Sequence, residues 1–245
     1  MKKLIIGNWK MHLNRQEAVS LASELAANAA EHNLAQVEMV VCPPALWLVD
    51  VGKAIENKPV KLGAQDCRAE VEGAFTGDIS AAMLHDAGAS YVLVGHSERR
   101  KYHNESNDLV KDKALSVQEN GMIPVICIGE TEEERQSNRF EAVIAQQLDE
   151  SIPENGEYVV ADEPVWAIGT GKTASLDDIR AMHRFIRDWL NGNRVDQNGQ
   201  VCILYGGSVK AANAREILSV ENVNGVLVGG ASLDAKEFGA IAQSA

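Results

Sequence analysis

The sequence predicts an α/β fold: a closed (β/α)8 barrel of eight parallel strands with its helices outside. Three observations carry that prediction. Eight short apolar runs punctuate the chain, helical stripes lie between them, and 245 residues of which 45% are hydrophobic can fill one sizeable core. The first run is LIIGNWK from Leu4 and the second VEMVVCPP from Val37; between them Ala18, Leu21, Ala22 and Leu25 recur near the 3.6 spacing of a helix face. VKLGAQD from Val60, YVLVGHSE from Tyr91, IPVICIGE from Ile123 and YVVADEPVW from Tyr158 follow. A second stripe of Ile179, Met182, Ile186 and Trp189 precedes VCILYGGS from Val201 and GVLVGGASL from Gly225. Such unbroken apolar runs suit parallel strands covered on both faces. Thr131 with Glu134 and Ser175 with Asp178 fit the capping-box spacing at helix starts. Strand–helix alternation also fits an open doubly wound sheet, but eight units favour closure. With no linker, repeat or low-complexity tract, residues 1–245 read as a single domain.

A formal charge of −12 and a pI near 5.0 argue against nucleic-acid or membrane partners, because an acidic surface repels both at long range. An anionic ligand therefore needs a local positive pocket. The four cysteines, Cys42, Cys67, Cys127 and Cys202, are widely separated and lack zinc spacing, which suits reduced thiols in a cytoplasmic protein. The opening MKKLIIGNWK has too short an apolar run for a signal peptide, and no segment reaches membrane-spanning length.

In either architecture ligands gather at the carboxyl ends of the strands. Glu163 ends the sixth run directly before Pro164, which holds it extended, and Gly169 and Gly171 follow in a loop. The segment reads as a fixed carboxylate beside a movable flap, or as an ordinary strand-to-helix connection. Asn8 and Lys10 end the first run, and alternation places both toward the barrel interior. Lys10 pairs there with an anionic ligand, with Glu98, or with both. His96 falls at a turn with Ser97 near a helix start; it is a structural hydrogen-bonder or an electrophile and proton carrier. Arg99 reads as an ion-pair partner. Gly206, Gly207 and Ser208, with Gly229 and Gly230, end consecutive strands and resemble a backbone phosphate cradle. Gly171-Lys172-Thr173 is no P-loop, since Trp166 stands where that motif needs glycine, and the G-x-G-x-x-A spacing ending at Ala174 fits a dinucleotide fold poorly. Cys127 and Trp166 read as packing residues, with Trp166 also a possible hinge anchor for the flap.

The motifs NWK at 8–10, GAFTGD at 73–78, GHSERR at 95–100, CIGE at 127–130, ADEPVWAIGTGKT at 161–173, YGGSV and LVGGASL occur in order. Together they closely resemble the triosephosphate isomerase family over nearly the whole chain. The resemblance implies a TIM barrel that interconverts dihydroxyacetone phosphate and glyceraldehyde 3-phosphate, in glycolysis and gluconeogenesis, without metal or organic cofactor. It implies that Glu163 is the base, that His96 is a neutral electrophile, and that Lys10 and Asn8 steady the enediolate. Glu98 would orient Lys10, Ser97 would support the site, and Gly169, Gly171, Ser208, Gly229 and Gly230 would hold the substrate phosphate. The loop from 166 to 173 would close over it, and Thr76 of GAFTGD would reach a neighbour's site in a homodimer. Asp162 stands where many relatives carry tyrosine, His12 where asparagine is expected and Asp78 in place of glutamate, with Asp66 near the same interface. A non-catalytic barrel that binds phosphometabolites and another phosphosugar isomerase are the alternatives.

Overall fold

The computed structural model describes residues 2–32, 34, 36–167, 173–193 and 201–245. Strands β1 (Lys3–Asn8), β2 (Val37–Cys42), β3 (Val60–Ala64), β4 (Tyr91–Val94), β5 (Ile123–Ile128), β6 (Val159–Asp162), β7 (Cys202–Tyr205) and β8 (Gly225–Val228) pair in chain order. All pairs are parallel, and β8 returns to β1 to close the barrel. Closure leaves no sheet edge exposed. At the seam the strands approach so closely that a Cβ on Gly225 would lie 1.8 Å from the Leu4 carbonyl oxygen.

Two apolar layers follow from the two faces of each strand. Leu4, Ile6, Val40, Cys42, Leu93, Val125, Cys127, Val159, Ala161, Leu204 and Leu227 fill the barrel interior. Their neighbours Ile5, Val41, Val92, Ile126, Val160, Ile203 and Val226 point outward into the helix layer. That layer contains, among the described residues, α1 (Arg15–Glu31), α2 (Leu48–Ala54), α3 (Ala81–Asp86), α4 (Ser97–His103) and α5 (Asn107–Glu119). It continues with α6 (Glu132–Gln136), α7 (Phe140–Ser151), α8 (Leu176–Asn193), α9 (Ala211–Ser219) and α10 (Ala235–Gln243).

The expected helix faces are the buried ones. Ala18, Leu21, Ala22 and Leu25 of α1 are buried, and Asn14 with Glu17 forms a capping box at its start. On α8 Ile179, Met182 and Ile186 are buried, while Trp189 packs half-buried against the same core. Truncating a side chain such as Ile186 to alanine costs about 2–5 kcal/mol. Both capping boxes read from the sequence are formed: Thr131 with Glu134 starts α6, and Ser175 exchanges hydrogen bonds with Asp178 at the start of α8. No helix among the described residues is long and apolar enough to cross a membrane.

Candidate active site

The alternation that builds the barrel also aims its last residues. In β6 Val159 and Ala161 face inward and Val160 outward, so Glu163 continues the inward phase and Asp162 the outward one. Glu163 donates its N–H to the Ile128 carbonyl at 2.7 Å, which extends the β5–β6 ladder past the end of β6. Its carboxylate is buried and doubly held: one oxygen lies 2.9 Å from His96 Nε2, and the other accepts the Ser97 N–H at 3.0 Å.

Strict alternation along β4 would send His96 to the helix layer. Gly95, at φ 66°, turns the chain there; a Cβ at Gly95 would also lie 2.6 Å from Val110, so the position demands glycine. His96 then serves as the N-cap of α4, its Nδ1 accepting the Glu98 N–H at 3.2 Å. An Nδ1 that accepts carries no proton, so the neutral ring bears its proton on Nε2, toward Glu163. Burial pulls the imidazole pKa down, but the adjacent Glu163 carboxylate outweighs it and raises the pKa above the ordinary value. Burial would likewise raise the Glu163 pKa; His96, the Ser97 N–H and Lys10 together hold it below the usual carboxylate range.

Asn8 points inward as expected, in phase with Leu4 and Ile6. Lys10 reaches the same cavity by another route. The strand ends at Asn8, and Lys10 adopts a left-handed conformation at φ 51°, so alternation does not place it. Its N–H donates to Asn8 Oδ1 at 2.9 Å, and its carbonyl accepts from Gln65 at 2.8 Å. These bonds hold a conformation that costs a non-glycine residue about 1–3 kcal/mol. Lys10 Nζ meets Glu98 Oε1 at 2.6 Å.

Asn8, Lys10, His96 and Glu163 open onto one cavity of ≈ 340 Å3 that Gly206 to Lys210 and Gly229 to Ala231 also line. A Cβ on Gly230 would meet nothing within 4 Å, whereas one on Gly207 would lie 2.2 Å from the Tyr205 hydroxyl. The first glycine therefore borders open space and the second a packed side chain. The Ser208 hydroxyl donates to the Ala167 carbonyl at 2.8 Å. Gly169 and Gly171 lie outside the described residues. Thr76 is exposed and does not line this cavity. Arg99 pairs with Asp66 and Glu105, which also hold the buried Lys113. Cys127 is packed inside the barrel, where burial pushes its thiol pKa well up.

Three contributors to the site were not assigned to it from the sequence. Lys210 and His12 line the cavity, and Glu130 anchors the turn behind Glu163. Its carbonyl accepts the Val165 N–H at 3.0 Å, and its Oε1 accepts the Trp166 indole N–H at 2.8 Å and Arg135 at 3.0 Å. Glu130 lies in the outward phase after β5, a signal available in the CIGE run. Among the described residues no group of three or more His, Cys, Asp or Glu could hold a metal ion.

The sequence profile described as triosephosphate isomerase matches residues 3–245. Triosephosphate isomerase of Granulibacter bethesdensis is 44% identical over 248 residues, covering 100% of this chain and 99% of its own. That of a Bradyrhizobium species is 47% identical over 247 residues, covering 99% of this chain and 98% of its own. The crystal structure of triosephosphate isomerase from Bartonella henselae superposes with a TM-score of 0.91 at 38% identity, covering 100% and 99% of the two chains. On that barrel, that cavity and those likenesses, the chain belongs to the triosephosphate isomerase family, whose members are intramolecular aldose–ketose isomerases of a small phosphorylated triose.

Proposed function

We propose that the chain, working as one barrel domain, interconverts dihydroxyacetone phosphate and glyceraldehyde 3-phosphate through an enediolate, with Glu163 as base and His96 as a neutral electrophile. Glu163 takes a proton from the carbon beside the carbonyl, while the Nε2–H of His96 donates to the carbonyl oxygen. The proton on Glu163 then returns to the neighbouring carbon, and His96 recovers its own from the other oxygen. The observation that carries this reading is a carboxylate 2.9 Å from an imidazole Nε2–H in a cavity that also admits Lys10 and a glycine wall. A glutamate base with a neutral histidine is the known pattern of this family. The Glu98 N–H at Nδ1 supports the neutral form, and substrate that draws Glu163 away removes the charge that makes the ring more basic.

Lys10 and Asn8 steady the negative enediolate, Glu98 orients Lys10, and Ser97 parks Glu163 between turnovers. Backbone N–H groups at Ser208, Gly229 and Gly230, with Gly169 and Gly171, grip the phosphate. This grip serves an anion on a chain of charge −12. The loop from 166 to 173 closes over the phosphate and excludes water. The reading includes a homodimer in the cytoplasm. Its support is the exposure of Met11, Leu46, Met83 and Tyr102 and a groove of ≈ 480 Å3 bounded by Asp66, Arg68, Asp78 and Arg99, able to take the Thr76 loop of a second copy.

A coupled assay with each triose phosphate tests the reading. Turnover in both directions is expected; binding without turnover would leave only a phosphometabolite carrier, and turnover of a different phosphosugar would move the assignment elsewhere. Sedimentation at assay concentration tests the dimer.

A further inference from the structure

Asp162 is adjacent to Glu163 in sequence but lies on the other side of the barrel wall. It is 2% exposed, and its Oδ1 has no hydrogen-bond partner among the described residues. Two other orphaned atoms belong to residues beside it: Glu130 Oε2 and His183 Nε2. His183 Nδ1 lies 3.2 Å from the Asn222 carbonyl, which only accepts, so Nδ1 carries the proton and Nε2 presents a lone pair. That lone pair is 3.7 Å from Asp162 Oδ2. A cavity of ≈ 10 Å3 joins Asp162, Glu130, Pro164 and Trp166, at the lower limit of what admits one water.

The charges around Asp162 come from every element packed on it. Glu130 follows β5, Arg135 lies on α6, Asp178 and His183 on α8, and Tyr205 on β7, with Glu163 next in the chain. An ionised Asp162 would bring a fourth carboxylate to a region where Arg135 already serves both Glu130 and Asp178. A proton on Oδ2 faces the His183 lone pair instead, and a neutral acid stands against Glu130.

We propose that Asp162 is a positioning residue: the proton on its carboxyl allows Glu130 to hold Trp166, and its loss releases the turn that follows Glu163. Glu130 is the element affected, because it bonds that turn through both its carbonyl and its carboxylate. Burial first, then Glu130 and Glu163, raise the Asp162 pKa well above the ordinary carboxylate value, against the pull of Arg135. Release therefore follows rising pH, above the range in which an ordinary carboxyl ionises.

The experiment follows the Asp162 carboxyl carbon and the Trp166 indole N–H by NMR across pH, and kcat with them, in wild type and Asp162→Asn. Asparagine keeps the shape, can turn its amide N–H toward His183 and cannot ionise. Asp162 is expected to titrate above the ordinary carboxylate range, in one step shared by the Trp166 resonance and by a fall in kcat. In Asp162→Asn the Trp166 step and that fall disappear. An Asp162 that titrates in the ordinary carboxylate range, a wild-type Trp166 resonance or kcat that ignores the Asp162 step, or a Trp166 step that persists in the variant overturns the proposal. If the variant does not fold, co-titration in the wild type still decides. The assignment concerns the base-bearing segment, yet its NMR arm holds or fails independently of whether Glu163 is the base.

Discussion

Replacing Glu163 with aspartate shortens the side chain by one methylene without changing its charge. The carboxylate now sits 2.9 Å from His96 Nε2 and 3.0 Å from the Ser97 N–H. Removing one carbon–carbon bond withdraws it by about 1.5 Å along the side chain. The backbone compensates little, because the Glu163 N–H and the neighbouring Val165 N–H are both bonded to the β5 strand end. A displacement near 1 Å at a reacting group costs about 10²-fold, so the loss in kcat is about 10²- to 10³-fold, or roughly 3–4 kcal/mol of barrier. KM should move far less, since the phosphate would rest on the glycine lining rather than on the carboxylate. Steady-state assays in both directions, beside a thermal melt, make the measurement. Turnover within about threefold of wild type, by a variant of unchanged melt, would refute both the base and the distance argument.

Lys10→Met should leave the chain folded, because Lys10 is part-exposed and pairs with a half-exposed Glu98, and should weaken competitive inhibition by inorganic phosphate about tenfold or more; inhibition constants check this. Gly230→Ala should keep the wild-type melting temperature yet raise the inhibition constant for phosphate, as its Cβ would enter open space. Gly225→Ala, whose Cβ would meet the Leu4 carbonyl at the barrel seam, should lose several kcal/mol of stability in a denaturant titration or fail to fold, roughly the upper end of overpacking costs. Burial lowers the His183 pKa from 6.5 to about 4, so the folded state favours the neutral ring. Its contribution is complete above pH 6.5 and is lost as pH falls toward about 4, a total of roughly 3 kcal/mol. Unfolding midpoints against pH should slope less in His183→Gln than in wild type across that window; parallel slopes would contradict the burial argument.

The barrel was legible because its strands carry a signal that survives without tertiary context. Runs such as VEMVVC and YVLV are too apolar for any surface, and their number favours closure. The place of Glu163 at the barrel mouth was legible because Pro164 and the strand end mark it locally, but its role as base was implied only by the resemblance. Lys10 reached the right cavity for a different reason: its left-handed turn depends on Gln65, more than fifty residues away, and no local pattern encodes that support. His96 likewise depends on Gly95 reversing the strand phase. Glu130 was missed because its partners, Arg135 and Trp166, meet only once the barrel closes.

The two-sided wall of β6 has a consequence for how such a chain tolerates change. Point substitutions act on one side of the sheet, but an insertion or deletion of a single residue within Val159–Asp162 would exchange the occupants of both sides at once. The carboxylate meant for the mouth would be buried among helices, and an acid adapted to a sealed environment would meet the solvent. Length variation is therefore confined to segments beyond the strand, and a library of β6 variants with one residue inserted or deleted should contain almost no survivors.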